Sequence, residues 1–249
     1  MLRRLSVALI LLSAVVAPAV AGENHCSMMN SNGADYAVCR FDPKTDDIRL
    51  FLGDAGSSPY GHFFKLEKAL NEKGEKLTFA MNAGMYRKDR APVGLYVERG
   101  EEKKAINTNN GPGNFHLKPN GVFWIDGARG AGVTESGVFD TSRPDVAYAT
   151  QSGPMLVIDG ALHPRFLPDS DSLKRRNGVG VTAAGEIVFV LSDSPVRFYD
   201  FARFFRDELK TPNALYLDGT ISRIFAPELQ RNDPGAEMGP IIGVVEKHD

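Results

Sequence analysis

The stretch Lys174–Asp193 reads KRRNGVGVTAAGEIVFVLSD and predicts a β-hairpin. Two arginines and an asparagine come near its start, a short β-like run follows, and Ala184-Gly185 forms the turn. The returning strand, Ile187–Leu191, is strongly apolar and ends on Ser192-Asp193. Such a hairpin holds a guanidinium and a carboxylate in fixed positions, which a site for an anionic substrate needs. The alternative interpretation is a core hairpin whose arginines only face water.

The composition is that of an ordinary globular chain. Of its 249 residues, 43% are hydrophobic and 24% are charged, and the length suits one large domain or two small ones. A net charge of -2 and a pI near 6.2 lack the basic excess that nucleic-acid-binding proteins show. We therefore expect no nucleic-acid partner, and a membrane-surface role is unsupported for the same reason.

The first 21 residues have the pattern of a secretory signal peptide. Two arginines precede the apolar run Leu5–Val16, and Ala19-Val20-Ala21 fits a small-x-small cleavage site. The run is too short, and too soon followed by Pro18, to be a spanning helix. We expect residues 1–21 to be removed and residues 22–249 to form one domain. This domain is expected in the periplasm or outside the cell, without stable membrane insertion.

Export makes the two cysteines informative. Cys26 and Cys39 lie close together just past the cleavage point, and an oxidising compartment favours a disulfide between them. A metal site and a redox pair are the alternatives, but the spacing is not CxxC and His25 is the only other soft ligand nearby. The scattered histidines show no metal-ligand spacing either. A structural disulfide is therefore predicted, and a zinc site is not.

The remaining pattern predicts a single α+β domain with a mostly antiparallel mixed sheet core and a few flanking helices. Short strands joined by turns outnumber helices, and Asp126-Gly127 and Asp159-Gly160 are hairpin signals. This disfavours a doubly wound parallel sheet. One helix is predicted to start at Ser58-Pro59, and another is predicted between Asp200 and Pro212.

Two common catalytic patterns are absent from the sequence. The glycine-rich segment 107–113 is not followed by a helix start, so it is not a phosphate-binding loop of a nucleotide fold. Ser152-Gly153 is not the G-x-S-x-G elbow of hydrolases, because position 150 is a threonine. Neither a nucleotide-binding fold nor a serine nucleophile is predicted.

Polar residues follow two of the predicted strands. Asn82 comes directly after Leu77–Met81, and Asp218-Gly219 follows the strand Ala214–Leu217. Each pattern fits a plain turn, and Asp218-Gly219 also fits a hairpin to the next strand. The functional alternative is a polar side chain that a tight loop presents to a ligand.

Six short motifs follow one another between Leu77 and Val245, nearly the whole mature chain. They are Met81–Tyr86, Gly94-Leu95, Asn120–Phe123, Ser152–Leu156, Arg176–Gly180 and Leu217–Gly219. In this order they resemble the phosphodiester glycosidase family, which is related to the enzyme that uncovers mannose 6-phosphate by removing N-acetylglucosamine. Several motifs in the right order are more specific than any single one.

The chain departs from the family pattern at three places. Family members often have Asn-Gly-Gly at Asn82-Ala83-Gly84, Arg-Thr at Arg176-Asn177, and a glycine run at Thr220-Ile221-Ser222. These differences suggest a bacterial subgroup whose substrate differs. The asparagine, arginine and aspartate positions are kept.

The resemblance implies an exported hydrolase that cleaves the glycosidic bond of a sugar-1-phosphodiester, in an envelope glycan or glycolipid. Such a substrate has an anionic phosphate and an anomeric carbon that develops positive charge in the transition state. Arg176 suits the phosphate, because a guanidinium offers two parallel charge-assisted hydrogen bonds. Asp218 is the candidate nucleophile or base for water, and Asp193 is the second candidate carboxylate.

The resemblance also implies substrate-binding positions at Asn82, Gly84, Asn120, Ser152, Gly153, Asn177 and Gly219. No cofactor is assigned, and a divalent cation held by Asp193 or Asp218 stays open because no ligand set is visible in the sequence. Two other classes of function also stay open. One is a non-catalytic envelope glycan-binding protein, and the other is a metal-dependent phosphodiesterase that cleaves the P–O bond.

Overall fold

The computed structural model describes residues 24–54, 58–128, 130–219 and 221–248. The predicted signal peptide, residues 1–21, lies outside the described residues. Within them the chain forms antiparallel sheets flanked by short helices, which confirms the predicted α+β class. No helix in these ranges has the length and apolar character needed to cross a membrane.

The strands are short and follow one another along the whole described chain. In order they are β1 (Cys26–Ser31), β2 (Ala34–Phe41), β3 (Asp47–Phe51), β4 (Glu75–Asn82), β5 (Tyr96–Glu98), β6 (Glu101–Lys104), β7 (Gly121–Asp126), β8 (Gly130–Glu135), β9 (Tyr148–Ser152), β10 (Met155–Ile158), β11 (Ala161–Leu162), β12 (Asn177–Val181), β13 (Ile187–Ser192), β14 (Asn213–Tyr216), β15 (Ile224–Ala226), β16 (Arg231–Asn232) and β17 (Ile241–Lys247). The helices are α1 (Phe63–Asn71), α2 (Ser136–Ser142) and α3 (Phe198–Arg203), the last continued by a π-helical turn over Phe204–Glu208.

In the described ranges these strands form three antiparallel sheets. The largest has seven strands in the order β1-β2-β13-β12-β14-β10-β11. The second has five strands in the order β16-β15-β4-β17-β3, and the third has five in the order β6-β5-β9-β7-β8. Strands that are far apart in sequence are therefore neighbours, as β2 and β13 are.

The hairpin predicted from Lys174–Asp193 is confirmed as β12 and β13. At its turn the Gly185 amide donates to the Thr182 carbonyl oxygen at 2.9 Å. Gly185 has a φ of +90°, a conformation that side chains with a Cβ rarely adopt. The hairpin lies in the middle of the seven-stranded sheet and so positions the residues just before β12 rigidly.

One phenylalanine ring from each sheet meets at the centre of the molecule. Phe189 of β13 stacks on Phe79 of β4 with ring centroids 5.2 Å apart. Phe123 of β7 meets Phe189 edge-on at 5.9 Å. All three rings are buried, and burying each phenylalanine side chain contributes roughly 1.5–3 kcal/mol. This aromatic cluster therefore fixes the three sheets relative to one another.

The first helix begins later than the sequence pattern predicts. The predicted start was Ser58-Pro59, but α1 begins at Phe63. The Tyr60 amide donates to the Leu52 carbonyl oxygen at 2.9 Å, which ties this segment to the end of β3. Gly61 then has a φ of +68°, a left-handed conformation from which an α-helix cannot continue.

The predicted disulfide is confirmed between Cys26 and Cys39. The two cysteines are directly opposite each other in the β1–β2 pair, at the edge of the seven-stranded sheet. Because β2 also pairs with β13, the bond ties the first described strand to the middle of the fold.

Removing this bond should destabilise the protein without changing its fold. The cysteines are 13 positions apart in sequence, and a loop of this size restrains the unfolded chain by up to about 3 kcal/mol. We expect the double variant Cys26→Ala, Cys39→Ala to unfold at a lower urea concentration than the oxidised parent protein. A reducing agent should shift the parent in the same direction and leave the variant unchanged. Equal urea midpoints of unfolding for the variant and the oxidised parent protein would show that the disulfide does not contribute to stability.

Candidate active site

A cleft of about 580 Å³ opens beside the start of β12 and the end of β14. The residues that line it are Met85, Asn114, Ser172, Lys174, Arg176, Phe198, Tyr216, Asp218 and Gly219. Three of the predicted site residues are thus brought together: Arg176, Asp218 and Gly219. Among the lining residues, Lys174 and Arg176 are cationic and Asp218 is acidic, so the cleft combines two positive charges with one carboxylate.

Arg176 is buried to 1% exposure, yet its hydrogen bonds go to neutral groups. Nε donates to the Val196 carbonyl oxygen at 2.9 Å, and Nη2 donates to the Ser172 carbonyl oxygen at 3.0 Å. The guanidinium carbon lies 3.6 Å from the centre of the Phe198 ring. Burial lowers the pKa of this guanidinium, but an arginine stays charged in a protein. These contacts hold the cation in place without neutralising it.

The ring that covers Arg176 belongs to a row of stacked rings. Phe166 stacks on Phe198 with centroids 5.0 Å apart, and His163 stacks on Phe166 at 4.8 Å. His163 is buried, and its Nδ1 accepts a hydrogen bond from the Arg165 amide. Burial lowers the pKa of His163, and the charge of Arg165 acts in the same direction. The folded protein therefore favours the neutral form of this histidine.

Asp218 lies on a crossover between sheets. The strand before it, β14, belongs to the seven-stranded sheet, and the strand after it, β15, belongs to a five-stranded sheet, so Asp218-Gly219 is not a hairpin turn. The Asp218 amide donates to Asn177 Oδ1 at 2.9 Å, and the Gly219 amide donates to Asp218 Oδ1 at 2.6 Å. The first bond ties the Asp218 backbone to the start of β12, and the second orients the carboxylate against its own turn.

Asn82, Asn177 and Ser152, predicted to bind substrate, are fully buried behind this crossover. Each stands at the end of a strand from a different sheet: β4, β12 and β9. Asn177 Nδ2 donates to the Asn82 carbonyl oxygen at 3.2 Å. The Ser152 hydroxyl donates to the Leu217 carbonyl oxygen at 2.7 Å, and Asn82 Oδ1 accepts from the Arg223 amide at 3.0 Å. Three sheets therefore hold the backbone on both sides of Asp218.

Asn120 and Gly153, two more predicted positions, support the wall of the cleft that carries Asn114. Asn120 Nδ2 donates to the carbonyl oxygen of Phe115, the residue after Asn114, at 2.8 Å. A Cβ on Gly153 would come within 2.6 Å of the Asn120 Cβ, so only a glycine fits there. Both positions lie behind the wall rather than on its surface.

Gly84 and Gly219 are glycines because other groups come very close. A Cβ on Gly84 would lie 2.5 Å from the Gln151 carbonyl oxygen, so the glycine lets the chain after β4 pass β9 and bring Met85 to the cleft. A Cβ on Gly219 would overlap with the hydroxyl oxygen of Tyr216. The Tyr216 hydroxyl therefore lies directly against the Asp218-Gly219 crossover.

Asp193, the second predicted carboxylate, lies outside the lining of this cleft. Its Oδ1 accepts from Arg175 Nη2 at 2.9 Å, and both of its oxygens accept from Arg231 Nη1 at 3.0 Å. Two guanidinium groups thus balance its charge. Within the residues that the structure describes, no three histidine, cysteine or acidic side chains are grouped closely enough to hold a metal ion.

The sequence patterns did not single out Tyr216, Phe198 or Asn114, which also line the cleft. A signal for Tyr216 was present, because side chains two residues apart in an extended chain point to the same side and Tyr216 precedes Asp218 by two. Phe198 and Asn114 reach the cleft through tertiary packing from a helix and a 3₁₀ turn. No local pattern reports that kind of placement.

Comparisons with known proteins identify the family of this chain. The family model described as phosphodiester glycosidase matches residues 75–245. The chain therefore belongs to the phosphodiester glycosidase family. The uncharacterized protein YigE of Escherichia coli (strain K12) is 39% identical over 183 residues, which cover 74% of this chain and 71% of that relative.

Two solved structures share the fold. The catalytic domain of zebrafish N-acetylglucosamine-1-phosphodiester alpha-N-acetylglucosaminidase, auto-inhibited by its pro-peptide, superposes with a TM-score of 0.60 at 13% identity, over 89% of this chain and 82% of that chain. A hypothetical protein from Synechocystis gives a TM-score of 0.58 at 13% identity, over 89% of this chain and 61% of its own. At these identities the likeness is one of fold.

Loss of the Asn177 side chain should destabilise the protein. In Asn177→Ala the Asp218 amide and the Asn82 carbonyl oxygen lose a buried partner, which costs about 2–4 kcal/mol in the free energy of unfolding. The exposed Asn30, which donates to Asp35, is the matched control, and Asn30→Ala should change that free energy by less than about 0.5 kcal/mol. Urea titration of both variants decides this. If both variants lost similar free energies of unfolding, the buried hydrogen bonds of Asn177 would contribute no more to stability than an exposed one.

Stability should also fall in mildly acidic solution because of His163. Its pKa is lowered in the folded protein, so below its ordinary value of about 6.5 the unfolded chain binds more protons than the folded chain. The free energy of unfolding must then decrease as the pH falls from 7.5 to 5.5. For His163→Gln the free energy of unfolding should decrease less over this interval than it does for the parent protein. An equal decrease in the two proteins would contradict the assignment.

Proposed function

We propose that the protein is an exported hydrolase that cleaves the glycosidic bond of a sugar-1-phosphodiester in an envelope glycan or glycolipid. The observation that carries this proposal is that the buried cation of Arg176 and the carboxylate of Asp218 line the same cleft. Family membership supports the reaction class. The disulfide supports export, because such bonds persist in oxidising compartments.

Arg176 and Lys174 are proposed to bind the phosphate. The two residues are two positions apart in an extended segment that pairs with Val196, so both face the cleft. Because backbone carbonyls and an aromatic ring hold Arg176, its positive charge stays available to an anionic ligand. In a buried site with a low effective dielectric constant, this charge acts more strongly than it would in water.

Asp218 is proposed to act at the anomeric carbon, as nucleophile or as base for water. Its backbone is held by side chains from three sheets, which meets the requirement that a catalytic group be positioned within a fraction of an ångström. A phosphomonoester leaves readily, so a strong general acid is less necessary than in other glycoside hydrolyses. One carboxylate in the cleft is therefore sufficient for the proposed reaction.

Asp193 is proposed to support the site rather than to react. Its carboxylate forms ion pairs with two arginines. One of them, Arg175, immediately precedes Arg176 in the chain. Asn82, Asn177 and Ser152 are proposed to act through the backbone of the Asp218 crossover. Asn120, Gly153 and Gly84 are proposed to shape the cleft walls that approach the substrate.

Two substitutions test this proposal on an N-acetylglucosamine-1-phosphodiester with a methyl aglycone. Asp218→Asn keeps an oxygen for the Gly219 amide but removes the charge, so kcat should fall on the order of 10³-fold. Arg176→Lys keeps a charge but loses the fork of donors, so kcat/KM should fall about 10- to 100-fold. Sugar release is measured chromatographically.

Matched controls come from the surface of the helix that follows β13. Asp207→Asn and Arg203→Lys make the same two kinds of change at an ion pair outside the cleft lining, and each should leave kcat/KM within twofold of the parent value. Parent-like turnover by Asp218→Asn would refute the catalytic assignment. Binding of the diester by the parent protein without any sugar release would instead favour a glycan-binding protein.

A further inference from the structure

Tyr216 places a buried hydroxyl between the cation and the acid of the cleft. The side chain is 1% exposed, and its ring meets Phe198 edge-on with centroids 4.7 Å apart. The Arg176 guanidinium carbon lies 5.7 Å from the centre of the Tyr216 ring. On its other side the hydroxyl oxygen occupies the space that a Cβ on Gly219 would take. The phenol is therefore fixed in position by three neighbours.

The polar groups around this hydroxyl determine what it can bind. The Arg176 guanidinium lies beside the Tyr216 ring and can only donate hydrogen bonds, so toward Arg176 the Tyr216 oxygen can only accept. The Asn114 side chain lines the same cleft, and it lowers the pKa of Tyr216, as a donor to the oxygen does. Burial and the charge of Asp218 outweigh both donors and raise this pKa to about 12. At neutral pH the group is therefore a protonated phenol that can still donate one hydrogen bond.

A phosphate oxygen is the acceptor that suits this arrangement best. Two edges of Arg176 are already occupied by the carbonyl oxygens of Val196 and Ser172, so the guanidinium alone cannot form every hydrogen bond that a phosphate accepts. A hydroxyl that accepts a bond from a guanidinium is itself a stronger donor, because hydrogen bonds in a chain polarise one another. We propose that the Tyr216 hydroxyl donates a hydrogen bond to a phosphate oxygen of the substrate, so that Arg176 and Tyr216 bind the anion together. This assignment rests on the proposed function only in its choice of ligand.

Tyr216→Phe tests the assignment because it keeps the ring and removes the hydroxyl alone. The probe is N-acetylglucosamine 1-phosphate, and methyl N-acetylglucosaminide is the neutral reference, both titrated by calorimetry. Affinity for the phosphate-bearing probe should fall about 10- to 100-fold, since a hydrogen bond to a charged group is lost. Binding of the neutral sugar should not change. Tyr36→Phe, at another buried tyrosine of the seven-stranded sheet outside the cleft lining, should bind both probes as the parent protein does.

Gly219→Ala gives an independent test of the same hydroxyl. The added Cβ must displace the Tyr216 hydroxyl, so this variant should also bind the phosphate-bearing probe at least tenfold more weakly. In a Tyr216→Phe background the overlapping oxygen is gone, and Gly219→Ala should then weaken binding by less than threefold. Such non-additivity is the signature of two residues that act through one group. Additive losses would show that Gly219 and the hydroxyl act separately, which overturns the assignment.

The outcomes separate this assignment from the proposed reaction. If the parent protein binds the phosphate-bearing probe through Tyr216 but releases no sugar from the diester, the assignment stands and the hydrolase proposal fails. If the parent releases sugar and Tyr216→Phe binds the probe as tightly as the parent, the assignment fails alone. If the parent does not bind the phosphate-bearing probe, the assignment also fails.

Discussion

The site depends on the buried amide of Asn177. Its oxygen accepts from the Asp218 amide and its nitrogen donates to the Asn82 carbonyl, so one side chain links the start of β12, the end of β4 and the crossover that carries the acid. Arg176 immediately precedes Asn177 in the chain. Asn177 thus ties the backbone that carries the cation to the backbone that carries the carboxylate. Buried amides left without partners are costly, which makes this arrangement hard to distort.

The charged group inside the cleft has neutral partners, whereas the charged group next to the cleft is paired with opposite charges. Asp193 is paired with two arginines, so its charge is balanced within the protein. Arg176 is held by carbonyl oxygens and an aromatic ring, so its charge is retained. Maintaining a buried cation in this way costs folding free energy, as the lowered pKa of Arg176 indicates. A ligand with an anionic group would recover that cost on binding.

Much of the fold was readable from local patterns, and part of the site was not. Alternation and turn residues predicted the hairpin of β12 and β13 and the antiparallel class, and the position of two cysteines in an exported chain predicted the disulfide. The motif order led to Arg176 and Asp218, which do share a cleft. The sequence could not show that Asn177 points at backbone rather than into the cleft, because hydrogen-bond partners are set by strands distant in sequence. Tyr216 was overlooked although its spacing of two residues from Asp218 in an extended segment was a usable signal.

The fate of oxygen from labelled water tests the account most directly. The proposed reaction has the cations of the cleft bind the phosphate and Asp218 act at the anomeric carbon, which predicts that the bond between that carbon and the bridging oxygen breaks. Hydrolysis of an N-acetylglucosamine-1-phosphodiester in isotopically labelled water should place the label on the released sugar, as mass spectrometry can read. Label found on the phosphate would show that the P–O bond breaks, and the account of this cleft would then be wrong.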